Sequence, residues 1–580
     1  MHDTGVDPIT FEVVHKALAS IADEMALVVM RSSFSPVVRD TRDYSTALCD
    51  ADGQVVAQSL TLPVQLGAFP DIMRIIREEH LDDLVSGDVL IANDPYGSGG
   101  QHLPDIYVIA PIFYQGHLRA YAATVAHHCD VGGITPGSMA IHATDIFQEG
   151  LQIPLVKLCE AGKESVSVMR ILAKNSRSPR DLLGDIRAQE AACRIGMQGA
   201  VALMEKYGPT ELQRYFEELQ RYAEYLMREE IRLMPDGVYT FEDYIDGLGE
   251  TPQPLKIAVQ ISVENDEIFV DFAGSAPQVK ASINSPISIV HSATYCAIRC
   301  VVGVDMPNTE GYMRPIHVTA PLGTIVNPTH PAACGARGVV AYRVFDAIMG
   351  ALAQVVPEKV IAAGEGGPTL FSIGGQHRGE PFVVTEVMVG NWGASSFGDG
   401  LEGVSNPAAN LSNQPVELVE AQLPLRINRY GLVMDSGGPG KYRGGLAFVR
   451  EFELLADSGE MTIRADRRDH PPYGLEGGMT GGSSANLLIS PDGDERILPT
   501  MPMESFNLTR HMAYRHISAG GGGFGIAVER EPARVLDDVL DGKVSRAAAA
   551  SSYGVVLLEG EDAVDVDATK RLREAMSSSS

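Results

Sequence analysis

Apolar residues change their spacing several times along the chain, and each change marks an element. After Asp7-Pro8, which suits a helix start, Phe11, Val14, Leu18, Ile21, Met25 and Val28 recur every three or four residues, as on one face of an amphipathic helix. From Asp40 to Phe113 short β-like runs take over, punctuated by Asp52-Gly53, Gly87-Asp88 and the polar loop 93–100. Residues 105–113 and 118–126 read as strands, and Tyr114-Gln115-Gly116-His117 supplies the turn between them. Two stretches rich in alanine, leucine, glutamate and arginine, 182–207 and 210–233, are broken by Gly208-Pro209 and predict a helical hairpin. Alternation returns at 255–263 and 267–272. A helix is expected over about 339–355, followed to residue 528 by strand-like runs and clusters such as Gly437-Gly438, Gly444-Gly445 and Gly481-Gly482.

These elements place the chain in the α+β class, as a multi-domain mixed chain. The expected units are an N-terminal α+β domain over 1–180 carrying the chemistry and the helical hairpin over 181–235. A central α+β domain over 236–365 and a glycine-rich β domain over 366–545 follow. The segment 546–580 closes the chain with a frayed tail at 577–580. A length of 580 residues exceeds what one simple core fills, and 45% apolar content supports burial. The net charge of −29 opposes attraction to phosphate backbones and anionic membranes, so nucleic acid and lipid are discounted as partners. Seven cysteines without paired C-x-x-C spacing suit a reducing compartment. The N-terminus lacks a signal pattern and the most apolar stretch, 287–304, is interrupted by His291 and Arg299, so a cytoplasmic location is expected.

The chemistry concentrates around Gly-Gln-His102-Leu-Pro-Asp105 and His127. A hairpin centred near Gly116 sets Asp105 opposite His127, and directly opposed Cβ atoms stand roughly 5 Å apart, close enough to share an ion. Period-two alternation turns His128 to the other face. His102, Asp105 and His127 supply two imidazoles and a carboxylate, a donor set suited to Zn, Mn or Fe with a position left open. Asp43 is the best fourth donor and Asp40 the fallback. The plainer alternative is that His102 and Asp105 hydrogen-bond across a loop and that His127 is a core histidine; the hairpin geometry favours the metal. Asp130 is a candidate to orient an imidazole or act as a base on bound water. Asp94 suits an Asx turn, and Cys129 as a nucleophile ranks below the metal. The run 520–525 lacks the Gly-Lys-Ser/Thr ending of a phosphate loop. Arg464, Arg467 and Arg468 either bind an anionic substrate or sit on a solvated strand.

At these residues the chain resembles the hydantoinase B/oxoprolinase family. The resemblance runs through 7–13, Arg42-Asp43-Tyr44-Ser45, Asn93-Asp94-Pro95-Tyr96, His102-Leu103-Pro104-Asp105, 127–133, Gln148-Glu149-Gly150-Leu151, 184–189, Asp399-Gly400 and the late glycine run. Gln65 is a departure, at a position where the family is expected to carry histidine more often. The resemblance implies a divalent metal held by Asp43, His102, Asp105 and His127. It also implies an A-type partner subunit that binds ATP and Mg and phosphorylates the carbonyl of a cyclic amide, forming a hetero-oligomer with this chain. The implied substrate is a hydantoin, N-methylhydantoin or 5-oxoproline, whose resonance-stabilised carbonyl is a poor electrophile until its oxygen becomes a leaving group. His127 and Asp130 are then the catalytic residues. Two other readings stay open: a subunit of an ATP-dependent carboxylase of ketones such as acetone or acetophenone, and a non-catalytic scaffold for the A-type subunit.

Overall fold

The computed structural model describes residues 6–80, 83–365 and 369–578. The first helix runs Pro8–Ser32, and its N-terminus is closed by Asp7, whose carboxylate accepts the Thr10 N–H at 2.8 Å. Its apolar stripe of Val14, Leu18, Ile21, Met25 and Val29 is buried against a seven-stranded antiparallel sheet. The strands of that sheet are β1 (Tyr44–Asp50), β2 (Val55–Gln58), β3 (Val89–Ala92), β4 (Asp105–Tyr114), β5 (His117–His127), β6 (Val156–Glu160) and β7 (Lys163–Glu164), in the order β2-β1-β5-β4-β3-β6-β7.

The two faces of the sheet follow the parity of the sequence. Leu48, Ile106, Val108, Ala122 and Ala126 face the helices Pro8–Ser32 and Pro179–Tyr207, whereas Ala47, Tyr107, Ile109, Ala123 and Val125 face Phe69, Ile72 and Met73 of Phe69–His80. The β4–β5 turn is tighter than expected. Only Gln115 and Gly116 lie between the strands, both at positive φ (52° and 79°), as a two-residue hairpin turn requires. Next to it the register shifts between Ile112 and Phe113, so that Arg119 is the extra residue of a bulge. Without that bulge Asp105 would oppose Ala126; with it, Asp105 opposes His127.

The expected pair of long helices is present as Pro179–Tyr207 and Pro209–Ile231, joined at Gly208 with φ 83°. The first packs on Pro8–Ser32 and the β4–β5 hairpin. The second spans two cores: Leu212, Phe216 and Leu219 join the first, and Ala223, Met227 and Ile231 the next. That second core lies on a four-stranded sheet ordered Ile316–Thr319, Glu267–Asp271, Leu255–Glu264, Gly237–Ile245, covered by the helices Ile287–Val301 and Gly338–Leu352. Every residue of Gly338–Leu352 is buried, including Arg343 and Asp346.

The C-terminal half packs two sheets face to face around Phe371, Phe452, Met461 and Tyr514. The late glycines thread it with bare backbone. A Cβ on Gly444 would come within 1.9 Å of the Gly521 carbonyl oxygen, so no larger residue fits there. Ser577, where the tail was expected to fray, instead closes the helix Val566–Ser577; residues 579–580 lie outside the described residues. Among the described residues, no helix is long and apolar enough to cross a membrane.

Buried charge ties the central helix to its neighbours. Arg343 Nε donates to Asp466 at 3.0 Å and its Nη1 to Asp243 at 3.3 Å, while Arg467 pairs with Asp346. Replacing Arg343 by methionine leaves Asp466 and Asp243 buried without that partner. The variant is expected to lose about 3–5 kcal/mol, read as a lower midpoint of guanidinium unfolding. An unchanged midpoint would show that the two carboxylates are otherwise compensated.

Candidate functional site

The ends of three adjacent strands bring the site together. His127 closes β5, Asp105 opens β4 directly opposite it, and Asp43 precedes β1 on the other side, with its carbonyl accepting the His127 N–H at 2.9 Å. All three positions are odd-numbered and share the face of Tyr107 and Val125. His102 enters from the turn before β4, where its carbonyl accepts the Asp105 N–H at 3.1 Å. The two imidazole centroids lie 4.9 Å apart, and His102 Nε2 is 3.4 Å from Asp105 Oδ2. His102 and Asp105 are fully buried, and Asp43 and His127 nearly so. His128 turns to the opposite face, where its Nε2 lies 3.1 Å from Gln189.

Residues from other elements complete the arrangement. Gln65, in the short helix Pro63–Leu66, donates its amide to Asp43 Oδ1 at 2.8 Å and to Asp105 Oδ1 at 3.4 Å. The segment 333–337 supplies two contacts: the Gly335 carbonyl lies 2.8 Å from His102 Nδ1, and the Arg337 guanidinium pairs with Asp105 Oδ2. Glu149 holds this segment, accepting N–H donors from Cys334 at 3.0 Å and Gly335 at 2.7 Å. A small cavity of about 30 Å³ is lined by Asp43, His127, Arg337, Tyr342 and Arg464 together with apolar side chains such as Leu62 and Leu411. Arg464 is buried there with Nε and Nη1 lacking a hydrogen-bond partner.

Electrostatics favour neutral imidazoles. Burial, reinforced by Arg337, pushes His102 down to about 4, and burial together with His102 holds His127 well below the usual histidine value. Burial and the neighbouring Asp105 raise Asp43 to about 7. Burial also acts to raise Asp105, but Arg337 and His102 outweigh it and hold its carboxyl below the usual range. A carbonyl oxygen only accepts, so the contact with Gly335 fixes the proton of His102 on Nδ1. Nε2 then presents a lone pair to the Asp105 carboxylate, with no hydrogen-bond partner of its own; His127 Nδ1 is likewise unpartnered.

Two acceptors facing each other in a buried space call for a cation between them, and imidazole, imidazole and carboxylate are suitable ligands for a divalent metal. The donors therefore fit such an ion in kind. Their present pairing differs from a loaded site. Among the described residues, no group of three or more His, Cys, Asp or Glu is arranged so that it could hold a metal. Arg337 and Gln65 occupy carboxylate oxygens that a metal would need.

The sequence model of the hydantoinase B/oxoprolinase family matches residues 7–527. The chain belongs to that family. It is 36% identical to a protein of Pseudomonas sp. (strain NS671) provisionally named as the B-type subunit of a D-/L-hydantoinase, covering 98% of each chain. It is 30% identical to 5-oxoprolinase 1 of Arabidopsis thaliana over 90% of this chain but 42% of that longer protein. The crystal structure of an ATP-dependent caprolactamase from Pseudomonas jessenii superposes with a TM-score of 0.90 at 30% identity, covering 98% of this chain and all of that one. The nucleotide-free structure of an acetone carboxylase shares the fold, with a TM-score of 0.93 at 20% identity over 99% of this chain and 83% of that one.

Other candidate residues of this family member have local duties. Asp130 is buried with both oxygens engaged, by the N–H groups of Gly132, Gly137 and Arg177 and by the Arg177 guanidinium at 3.0 Å. Asp40 pairs with Arg39 at 2.7 Å, and Asp94 caps its own turn by accepting the Tyr96 N–H at 2.9 Å. Burial pushes the Cys129 thiol up to about 12, so it is not an activated nucleophile. All seven cysteines are free. Arg468 pairs with Asp469, leaving Arg464 as the member of the arginine cluster that reaches the cavity. Sequence reasoning missed Arg337 and Gly335, and it named Glu149 only within the family motif Gln148-Glu149-Gly150-Leu151, with no role at the site. Its one available signal was the charge of Arg337 between small residues in Cys-Gly-Ala-Arg-Gly.

Proposed function

We propose that this chain is the B-type component of an ATP-dependent cyclic amide hydrolase, completing ring opening at the His102, Asp105, His127 and Asp43 cluster. The observation that carries this reading is the unpartnered His102 Nε2 facing the Asp105 carboxylate at 3.4 Å. A divalent ion, Zn, Mn or Fe, would be held by those four side chains and would supply Lewis-acid polarisation and an acidified water. Arg464, which lines the same cavity and whose Nε and Nη1 lack hydrogen-bond partners, would supply the positive charge that offsets negative charge developing on the activated carbonyl or its phosphate. Gln65 keeps the two carboxylates together with a neutral donor. Asp130 is assigned the work of anchoring the segment after β5, because both of its oxygens are taken.

The proposed partner is an A-type subunit that binds ATP and Mg and phosphorylates the amide oxygen of a hydantoin, N-methylhydantoin or 5-oxoproline. One water then adds to the activated carbon and the ring C–N bond breaks with a proton passing to nitrogen, leaving an acyl phosphate; a second water hydrolyses the acyl phosphate to the carboxylic acid and releases phosphate. The glycine run of this chain, Gly520 to Gly523, is packed against other backbone, with Gly438 donating to the Gly521 carbonyl at 2.8 Å. We therefore assign nucleotide binding to the partner, and we propose a cytoplasmic hetero-oligomer on the separate ground that the seven cysteines, all free, suit a reducing compartment.

Expressed alone, the chain is expected to hydrolyse no ATP; with its A-type partner it should release a ring-opened acid from one of these amides in the presence of ATP and without bicarbonate. Substrate-dependent ATP hydrolysis by the isolated chain would overturn the division of labour. Product formed only with bicarbonate and a ketone would replace the hydrolase reading by a carboxylase.

A further inference from the structure

Of the seven free cysteines only Cys300 is exposed. It lies in the last turn of the helix Ile287–Val301, four residues after Cys296, so the two thiols share one face of that helix. Both line a second cavity, of about 700 Å³, together with Arg299, and Cys296 keeps 9% exposure there. The Cys296 thiol donates to the Cys300 sulfur, which lowers the Cys300 thiol, with Arg299 acting in the same direction, and raises that of Cys296. An alternative acceptor for the Cys296 proton, the Pro407 carbonyl, is 3.8 Å away. Side chains four apart on a helix have Cβ atoms about 5–6 Å apart, whereas a disulfide needs about 3.5–4.5 Å. The pair is too wide to close on itself. Two sulfurs bonded to one ion at about 2.3 Å each stand as much as about 4.6 Å apart, which suits the wider spacing.

We propose that Cys296 and Cys300 form a binding site for a soft monovalent cation of the copper(I) class, separate from the four-residue cluster. Among the described residues that line the cavity there is no histidine, aspartate, glutamate or methionine, so the ion must be one that two thiolates satisfy. Zinc takes three or four protein ligands, and thiolates select copper(I). Each sulfur exchanges its proton for a bond to the ion, and the protons pass to water. Two thiolates and one monovalent cation leave a single negative charge, which the Arg299 guanidinium on the same wall offsets. The C-terminal end of a helix also favours a cation. The inference stands whichever reaction the cluster performs.

Copper(I) itself is the probe. Anaerobic titration of the full-length protein against a chromogenic copper(I) chelator is expected to move one equivalent of the ion to the protein and to bring up the near-ultraviolet thiolate-to-copper band. Cys300→Ser and Cys296→Ser should each remove the band and the uptake, while His127→Gln keeps both, which separates this pair from the imidazoles of the cluster. Cys300 is exposed, so its serine variant retains the fold. No uptake in competition with the chelator would overturn the site. So would uptake that survives Cys300→Ser, which is adventitious capture by another thiol, or uptake lost in His127→Gln alone. Half an equivalent with a doubled mass would mean that Cys300 bridges two chains, and it would replace the pair as the ligand set. Peptide mapping after mild oxidation should find no bond between Cys296 and Cys300; a quantitative disulfide there would sink the spacing argument and leave a redox pair in place of the ion.

Discussion

Alanine at His102 or at His127 is expected to reduce bound divalent metal from stoichiometric to background and to lower turnover of the assembled enzyme by at least about a hundredfold. Each substitution removes a neutral nitrogen donor from a space where burial keeps the imidazoles unprotonated, lowering His102 to about 4 and holding His127 well below the usual histidine value. The remaining Asp105 and Asp43 are already bonded by Arg337 and Gln65, so two carboxylates without the histidine do not compete for the ion. Both histidines lie at strand ends or in a turn. Their loss removes no ladder hydrogen bond, and the chain should still assemble with its partner. Elemental analysis of the purified complex, beside turnover and size-exclusion profiles, checks the outcome. Full metal occupancy in both variants would remove the proposed centre, and a loss of assembly in both would assign the histidines to structure.

The hairpin that builds this centre was legible because strand parity and a glycine turn are local properties. Asp105 and His127 share a face for the reason that Tyr107 and Val125 do. Yet the register depends on the bulge at Arg119, which nothing in Leu118-Arg119-Ala120 announces; the expected four-residue turn and the observed two-residue turn with a bulge reach the same pairing by different routes. Asp43 was legible as a charge opening a strand, and the structure adds that its carbonyl bonds the His127 backbone. The contribution of 333–337 was not legible. Arg337 reaches Asp105 across 232 positions, and only the packing of the wholly buried helix Gly338–Leu352 fixes where its preceding residues fall. For the same reason the serine-rich C-terminus, polar enough to fray, is helical as far as Ser577, tied to the preceding segment where Thr569 Oγ1 accepts the Val556 N–H at 3.0 Å and Arg573 Nε donates to the Tyr553 carbonyl at 3.1 Å.

Arg337 makes the second large prediction. Its guanidinium provides positive charge for Asp105, which sits beside Asp43 with the Gln65 amide donating to both. In Arg337→Gln the charge leaves and the volume nearly stays, so two buried carboxylates share one neutral donor and lose about 3–5 kcal/mol of stability in metal-free protein. A bound divalent ion restores the missing charge. Its stabilisation follows mass action, worth about 2.7 kcal/mol when free metal is a hundred times the dissociation constant. The variant should therefore melt well below the parent in chelator and recover most of the difference when metal is added, whereas the parent, with Arg337 in place, should respond less. Differential scanning with and without chelator reads both numbers from the same preparation. If parent and variant respond equally to metal, Arg337 and the cation do not compete for Asp105. If the variant melts with the parent in chelator, the guanidinium does not compensate the buried pair, and the electrostatic account of the site fails at its base.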